Sequence, residues 1–221
     1  MDVCSMSPEE SPKTRARERS APSEETGFPD RNGSAEAAGW GPLSSLPGNP
    51  MIWILILGEL AVFGALFVGF AVARALDPMA FNASQAHLDG LIGGLNTMVL
   101  MTSGWLVAVA VQRRASSPGV PSRSHRAAML GAMAFGGVFL AIKIVEYSDK
   151  IGQGFTPETD MFFQLYYLMT GFHALHVVMG LIILGIVTWR DSLDNMETGA
   201  AFWHMVDLIW VLLYPLVYLL R

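Results

Sequence analysis

The sequence FHALHVVMG, residues 172–180, places two histidines three residues apart inside an otherwise apolar segment, residues 162–189. A segment of that length crosses the roughly 30 Å hydrocarbon core of a bilayer as one helix. Residues three apart share a helix face, so His173 and His176 are expected on the same side. An ionisable side chain at this depth costs about 2.5 to 3.5 kcal/mol and normally marks a functional position. The two histidines are therefore the first candidates for a functional role.

The next apolar segment repeats the arrangement. In WHMVDLIW, residues 203–210, His204 and Asp207 are also three residues apart. Two consecutive predicted helices thus each carry a pair of polar side chains on one face.

The composition predicts an all-α, multi-pass membrane protein. Hydrophobic residues make up 52% of the 221 residues and charged residues 15%, against about 25% charged in soluble domains. We predict a bundle of five transmembrane helices within residues 49–221, since a span needs about 20 apolar residues. The predicted spans are residues 51–73, 91–111, 127–147, 162–189 and 200–220.

Residues 1–48 have a different composition, rich in Ser, Pro, Glu, Arg and Gly. Such a segment buries too little apolar surface to offset its chain entropy, so we expect a disordered tail. The single cysteine, Cys4, excludes a disulfide framework and a cysteine-based metal site. No nucleic-acid-binding patch or site for a soluble small-molecule substrate is evident in the sequence.

Basic residues predict the orientation in a bacterial inner membrane, because cytoplasmic loops carry an excess of Lys and Arg. With the N-terminus in the cytoplasm, the loops there carry Arg113, Arg114, Arg123, Arg126 and Arg190. The opposite side has only Arg74, Lys150 and Arg221. We therefore expect a cytoplasmic N-terminus and a periplasmic C-terminus.

Small residues and one proline predict how the helices pack. Glycines let membrane helices approach closely, and the candidates are Gly64, Gly69, Gly131, Gly136, Gly137, Gly171, Gly180 and Gly185. Pro215 should kink the last helix or free a carbonyl that a neighbour satisfies.

Counting 1.5 Å per residue from the predicted helix ends sorts the polar residues into two layers. The expected inner layer contains Glu59, His204 and Asp207, and the expected outer layer contains Lys143, Glu146, His173 and His176. Lys143 and Glu146 are three apart, so we expect them to pair. Glu59 has no partner on its own helix and is either hydrogen-bonded to the last span or a proton-exchanging site.

A metal site is the alternative reading of the histidines. His173, His176, His204 and Asp207 would make a tetrahedral set, but metal ligands must lie within about 2.2 Å of one ion. The layer estimate separates the two pairs by about 10 Å or more, which disfavours a stand-alone metal or haem enzyme. A proton conduit centred on Glu59 would need a polar route between the layers, and the sequence offers none. We expect no catalytic residue and no metal ligand in this chain.

Five motifs in order resemble subunit III of the haem-copper oxidases over residues 48–221. They are GELAVFGALF from residue 58, LNTMVLMTSGW from 95, IKIVEY from 142, TGFHALHVVMGL from 170 and FWHMVDLIWVLLYPLVYLL from 202. The resemblance is strongest to the short form that accompanies bacterial nitric oxide reductase, the NorE-type protein. It implies a five-helix bundle that lacks the first two helices of the longest family members.

The resemblance also implies a role. Subunit III carries no haem or metal, binds phospholipid and packs beside the catalytic subunit, which holds the haem and metal. Glu59 matches the family's carbodiimide-reactive carboxylate, and the family's recurrent polar positions are matched by Glu146, His173, His176, His204 and Asp207. The implied function is that of a non-catalytic accessory or assembly subunit of nitric oxide reductase in denitrification. The alternative is a true subunit III of a cytochrome c or quinol oxidase in aerobic respiration.

Overall fold

A computed structural model describes residues 50–116, 123–190 and 193–220. The six α-helices in these ranges are α1 (Pro50–Leu76), α2 (Pro78–Gln85), α3 (Gly90–Ala115), α4 (Arg123–Gly152), α5 (Met161–Arg190) and α6 (Leu193–Tyr214). A π-helical turn, Pro215–Leu219, continues α6. The tail predicted for residues 1–48 lies outside the described residues.

Five of these helices are long and apolar enough to cross a membrane, which confirms the predicted all-α, multi-pass fold. Only α2, at eight residues, is too short to span. In the described parts of the chain every regular element is helical.

The long helices form a ring in which α3 packs on α4, α4 on α5, α5 on α6, and α6 on α3. Helix α1 packs against α5 and α6 from outside this ring. Helix α6 therefore packs against α1, α3 and α5. It buries large side chains that include Phe202, Trp203 and Trp210.

Several helix bounds differ from the prediction. Helix α6 begins at Leu193, seven residues before the predicted start at 200, and α4 extends to Gly152, past the predicted end at 147. The prediction was based on apolar windows, but a helix continues through polar residues beyond the hydrocarbon core.

The short helix α2 was not predicted. Its N-cap is Asp77, whose side chain accepts a hydrogen bond from the Ala80 amide at 3.1 Å, and Pro78 occupies the first turn. Asp89 caps α3 in the same way through the amides of Leu91 and Ile92. Asp and Pro at these positions are typical helix-start signals.

The expected interruption at Pro215 takes the form of the π-helical turn. The Gln85 side-chain amide donates to the Val217 carbonyl at 2.9 Å, and the Arg74 guanidinium donates to the Leu220 carbonyl. Side chains from α1 and α2 thus satisfy carbonyls of this irregular segment, as membrane depth requires.

The glycine prediction is right at some positions and wrong at others. A Cβ added at Gly136 or Gly180 would lie 2.8 or 2.7 Å from the Trp203 ring, so both glycines permit close helix packing. By contrast, a Cβ at Gly64, Gly69 or Gly137 would meet nothing within 4 Å. These three glycines lie on surfaces that no other described helix covers.

Candidate functional site

Lys143 is the centre of a buried polar cluster. Its ammonium donates to Glu146 Oε2 at 3.0 Å, to the Tyr166 hydroxyl at 3.2 Å and to the Tyr218 hydroxyl at 2.9 Å. The two hydroxyls in turn donate to Glu146 Oε1, at 2.8 Å from Tyr166 and 2.5 Å from Tyr218. We call these four residues the lysine cluster. The predicted pairing of Lys143 with Glu146 is confirmed.

The lysine cluster joins three elements and has little exposure. Lys143 and Glu146 come from α4, Tyr166 from α5 and Tyr218 from the π-helical turn, and the Lys143 side chain is only 3% exposed. Four aromatic rings lie 5.1 to 5.5 Å from the ammonium, a distance at which cation–π attraction adds to the hydrogen bonds. All three donors of the ammonium are used within the protein, so the cluster holds helices together.

Glu59 forms a second pair, with His176. Its Oε2 lies 3.0 Å from His176 Nε2, and His176 Nδ1 lies 2.8 Å from the Phe172 carbonyl. The imidazole also makes an edge contact with the Phe63 ring. The pair ties α1 to α5.

This pairing corrects the two-layer estimate, which placed Glu59 in the inner layer and His176 in the outer layer. The reason is the register of the two helices. Since Glu59 meets His176, Pro50, nine residues before Glu59, is level with Gly185, nine residues after His176. Helix α5 ends at Arg190, so it extends about five residues, or roughly 7 Å, beyond the start of α1. The expected hydrogen bond of Glu59 to the last span is likewise replaced by this bond to α5.

His173 lies in an aromatic environment. It is 0% exposed, and its ring centre lies 5.1 Å from that of Trp210 and 5.8 Å from that of Phe139. Neither ring nitrogen has a hydrogen-bond partner among the described residues. The two histidines of FHALHVVMG therefore have different environments, one apolar and one paired with a carboxylate.

His204 and Asp207 form the third pair, more loosely. His204 Nδ1 lies 3.8 Å from Asp207 Oδ2, and the side chains are 46% and 8% exposed. The carboxylate fits against α3 only because residue 104 is glycine, where a Cβ would lie 2.1 Å from Asp207 Oδ2. The other oxygen, Oδ1, is buried without a hydrogen-bond partner in the described chain.

The structure keeps His204 and Asp207 in one layer with Glu59, as predicted, because Asp207 is level with His176 on the neighbouring helix and His176 meets Glu59. His176 is the residue whose predicted layer was wrong.

The corrected depths change what separates the two histidine pairs. Gly180 packs under Trp203 and His173 faces Trp210, a register that makes Asp207 level with His176. Direction separates the pairs, because His176 faces α1 and Asp207 faces α3. Among the described residues no three His, Cys, Asp or Glu side chains converge as a metal site would require.

The sequence reasoning missed Tyr166 and Tyr218. Both complete the lysine cluster from segments far from Lys143 in the chain. The available signal was chemical, since the three N–H donors of a buried ammonium point in different directions and one carboxylate cannot reach all of them.

These features define a helical membrane protein whose buried charges are bonded mainly to one another. The family model for cytochrome c oxidase subunit III matches residues 51–221, and the chain belongs to this family.

Individual relatives agree with this assignment. Cytochrome c oxidase subunit 3 of Synechocystis sp. is 30% identical over 178 residues, which cover 76% of this chain and 73% of the relative. Cytochrome bo(3) ubiquinol oxidase subunit 3 of Pseudomonas putida is 27% identical, with 76% and 83% covered. The chain is also 27% identical to heme-copper oxidase subunit I+III of Aeropyrum pernix, where the match covers 22% of that longer protein.

Proposed function

We propose that the chain is a non-catalytic accessory or assembly subunit of a respiratory haem-copper complex. In this role it supports the stability and turnover of the catalytic subunit and performs no reaction itself. The relatives' names support the class of complex, since they denote third subunits of cytochrome c and ubiquinol oxidases.

The observation that carries the proposal is how the buried charges are used. Lys143 and Glu146 are bonded to each other and to two tyrosines, and Glu59 is bonded to His176. Groups bonded in this way position helices and are not free to act on a substrate. The same observation favours the structural reading of Glu59 over a proton-exchanging site.

The proposal assigns the cofactors to the partner. The catalytic subunit holds haem and metal, whereas this chain binds membrane phospholipid along its apolar outer surface. That surface is extensive, with side chains such as Val68, Leu91 and Ile144 each more than 60% exposed.

Within this class we propose nitric oxide reductase in denitrification as the particular complex. The five-span form supports this choice. A true subunit III of a cytochrome c or quinol oxidase, the class of protein that the relatives' names denote, is the second candidate.

The proposal includes a location in a bacterial inner membrane, with the N-terminus in the cytoplasm and the C-terminus in the periplasm. Alkaline phosphatase and green fluorescent protein fused after His87 or after Arg221 test this. Phosphatase activity without fluorescence is expected at both positions, and fluorescence at either would reverse the orientation.

Affinity purification tests the function. The chain is tagged at its C-terminus, membranes from aerobic and from denitrifying cells are solubilised in mild detergent, and co-purifying proteins, haem and metal are measured. Recovery with nitric oxide reductase, and no haem or metal in the separated chain, is the expected result. Recovery with an oxidase transfers the assignment to the second candidate. A partner-free chain with stoichiometric metal refutes the accessory role.

A further inference from the structure

A groove of about 420 Å³ runs between α3 and α6 near the middle of the spans. Its walls are mostly apolar, and the important lining residues are Met101, Trp105, His204, Asp207 and Leu208. We call it the α3–α6 groove.

The groove leaves the His204 side chain exposed, whereas the other candidate polar side chains are mostly buried. The His204 side chain is 46% exposed, compared with 21% for Glu59 and 5% for His176. The side chains of Lys143 and Glu146 are 3% and 8% exposed. His204 is therefore the most exposed of the seven candidate residues, although it lies within a candidate membrane-spanning helix.

An exposed imidazole at this depth requires a hydrogen-bond partner that lipid chains do not provide. Nδ1 is turned toward Asp207, so Nε2 is the nitrogen available to a group outside the chain. Intramembrane polar side chains face other helices or a water-filled cavity, and hydrogen bonds between helices satisfy them.

The groove is also shaped around this polar pair. Gly104 leaves the space that the Asp207 carboxylate fills, and a side chain there would displace it. Trp105 on α3 is 64% exposed and Leu208 on α6 is 49% exposed, so large apolar side chains flank the imidazole. Tryptophan is enriched among the residues that contribute most to protein–protein binding.

We propose that the α3–α6 groove binds a transmembrane helix of the catalytic haem-copper subunit, with a polar side chain of that helix hydrogen-bonded to His204 Nε2. The inference rests on the proposed function and adds the surface through which that function acts. The Aeropyrum pernix relative supports this occupant, since its name joins subunits I and III in one chain.

A second copy of this chain fits the groove less well. Packing about a two-fold axis sets a surface against its identical copy, so each His204–Asp207 pair would meet another at the same depth. A helix of a different subunit can supply a complementary group instead.

Photo-crosslinking at matched positions tests the proposal in the complete complex. The crosslinking residue p-benzoyl-phenylalanine replaces Leu208 in the groove or, as the control, Leu175 on α5. Leu175 is 62% exposed and level with Leu208, because Gly180 pairs with Trp203 and His173 with Trp210. In parallel, Leu208→Trp and Leu175→Trp are compared by the haem that co-purifies per tagged chain, each normalised to the amount of folded chain in the membrane.

We expect position 208 to crosslink to the catalytic subunit and position 175 to crosslink to lipid. Leu208→Trp should lower co-purified haem about fivefold or more, whereas Leu175→Trp should change it less than about twofold. Crosslinking at 208 to a second copy or only to lipid overturns the proposal, as does a larger loss from Leu175→Trp. If the unmodified chain recovers no catalytic subunit, the proposed function itself fails. If the unmodified chain recovers the catalytic subunit but position 208 forms no crosslink to it, only the assigned surface fails.

Discussion

The lysine cluster and the His204–Asp207 pair begin from the same sequence pattern, two ionisable residues three apart on a transmembrane helix. In the lysine cluster, Tyr166 and Tyr218 complete the hydrogen bonding, and the Lys143 side chain is 3% exposed. In the other pair the two side chains are 3.8 Å apart, and His204 is 46% exposed. Spacing along one helix therefore predicts the pair, but neighbouring helices decide whether it is closed within the fold or open to a partner.

The Glu59–His176 pair is intermediate. It joins two helices across 3.0 Å, with His176 5% exposed and Glu59 21% exposed. The three pairs thus form a series from closed to open, and variants of each pair test its position in that series. For every variant the measured quantity is the free energy of unfolding of the separated chain, obtained by adding dodecyl sulfate to the protein in mild detergent micelles.

The largest effect is expected from Lys143→Met. Removing one partner of a buried ion pair leaves an uncompensated charge, so the free energy of unfolding should fall by about 3 to 5 kcal/mol. The double variant Lys143→Met with Glu146→Gln removes both charges and should regain most of the loss. A loss below about 1 kcal/mol in the single variant would be typical of an exposed pair and would contradict the closed cluster.

Gly104→Ala should have the next largest effect. The new Cβ would lie 2.1 Å from Asp207 Oδ2, so the carboxylate must move, at a cost of about 1 to 3 kcal/mol for overpacking. The control is Gly137→Ala, on a surface with nothing within 4 Å, where a change within about 0.5 kcal/mol is expected. If Asp207→Ala does not relieve the effect of Gly104→Ala, the carboxylate is not what fills the space.

The membrane spans could be predicted from the sequence because their signal is local. An apolar run of about 20 residues identifies a membrane span by itself, whatever the positions of the other helices. The extra turns of α6 from Leu193 carry no such signal, since residues 193–199 include Asp194, Asn195 and Glu197. A helical stretch of polar residues outside the hydrocarbon core therefore cannot be found by a search for apolar runs.

The candidate residues could be predicted individually, but their grouping across helices could not. Lys143 with Glu146 was predictable because both lie on one helix face. Glu59 with His176 depends on the offset between α1 and α5, and a shift of about five residues changes the partner. Tyr218 reaches Lys143 from the π-helical turn after Pro215, where regular helix geometry no longer gives the direction of a side chain.

Glu59→Gln should cost about 1 kcal/mol in the free energy of unfolding. The amide keeps a hydrogen bond to His176 but gives up the charge that strengthens it. Glu59→Leu, which loses the bond and leaves His176 without it, should cost more. Unchanged stability combined with slower turnover of the complete complex would contradict the structural reading and favour proton exchange at Glu59.

The smallest effect on the separated chain is expected from His204→Gln, within about 0.5 kcal/mol of the unmodified protein, as for most exposed positions. The matched control is His176→Gln. That histidine is level with Asp207 in the bundle but is only 5% exposed and is bonded to Glu59, so its loss should cost about 1 to 3 kcal/mol. In the complete complex the order should reverse, because His204 has its missing partner there and His176 already has one. If His204→Gln destabilises the separated chain as much as His176→Gln does, the third pair is closed within the fold and does not need an outside helix.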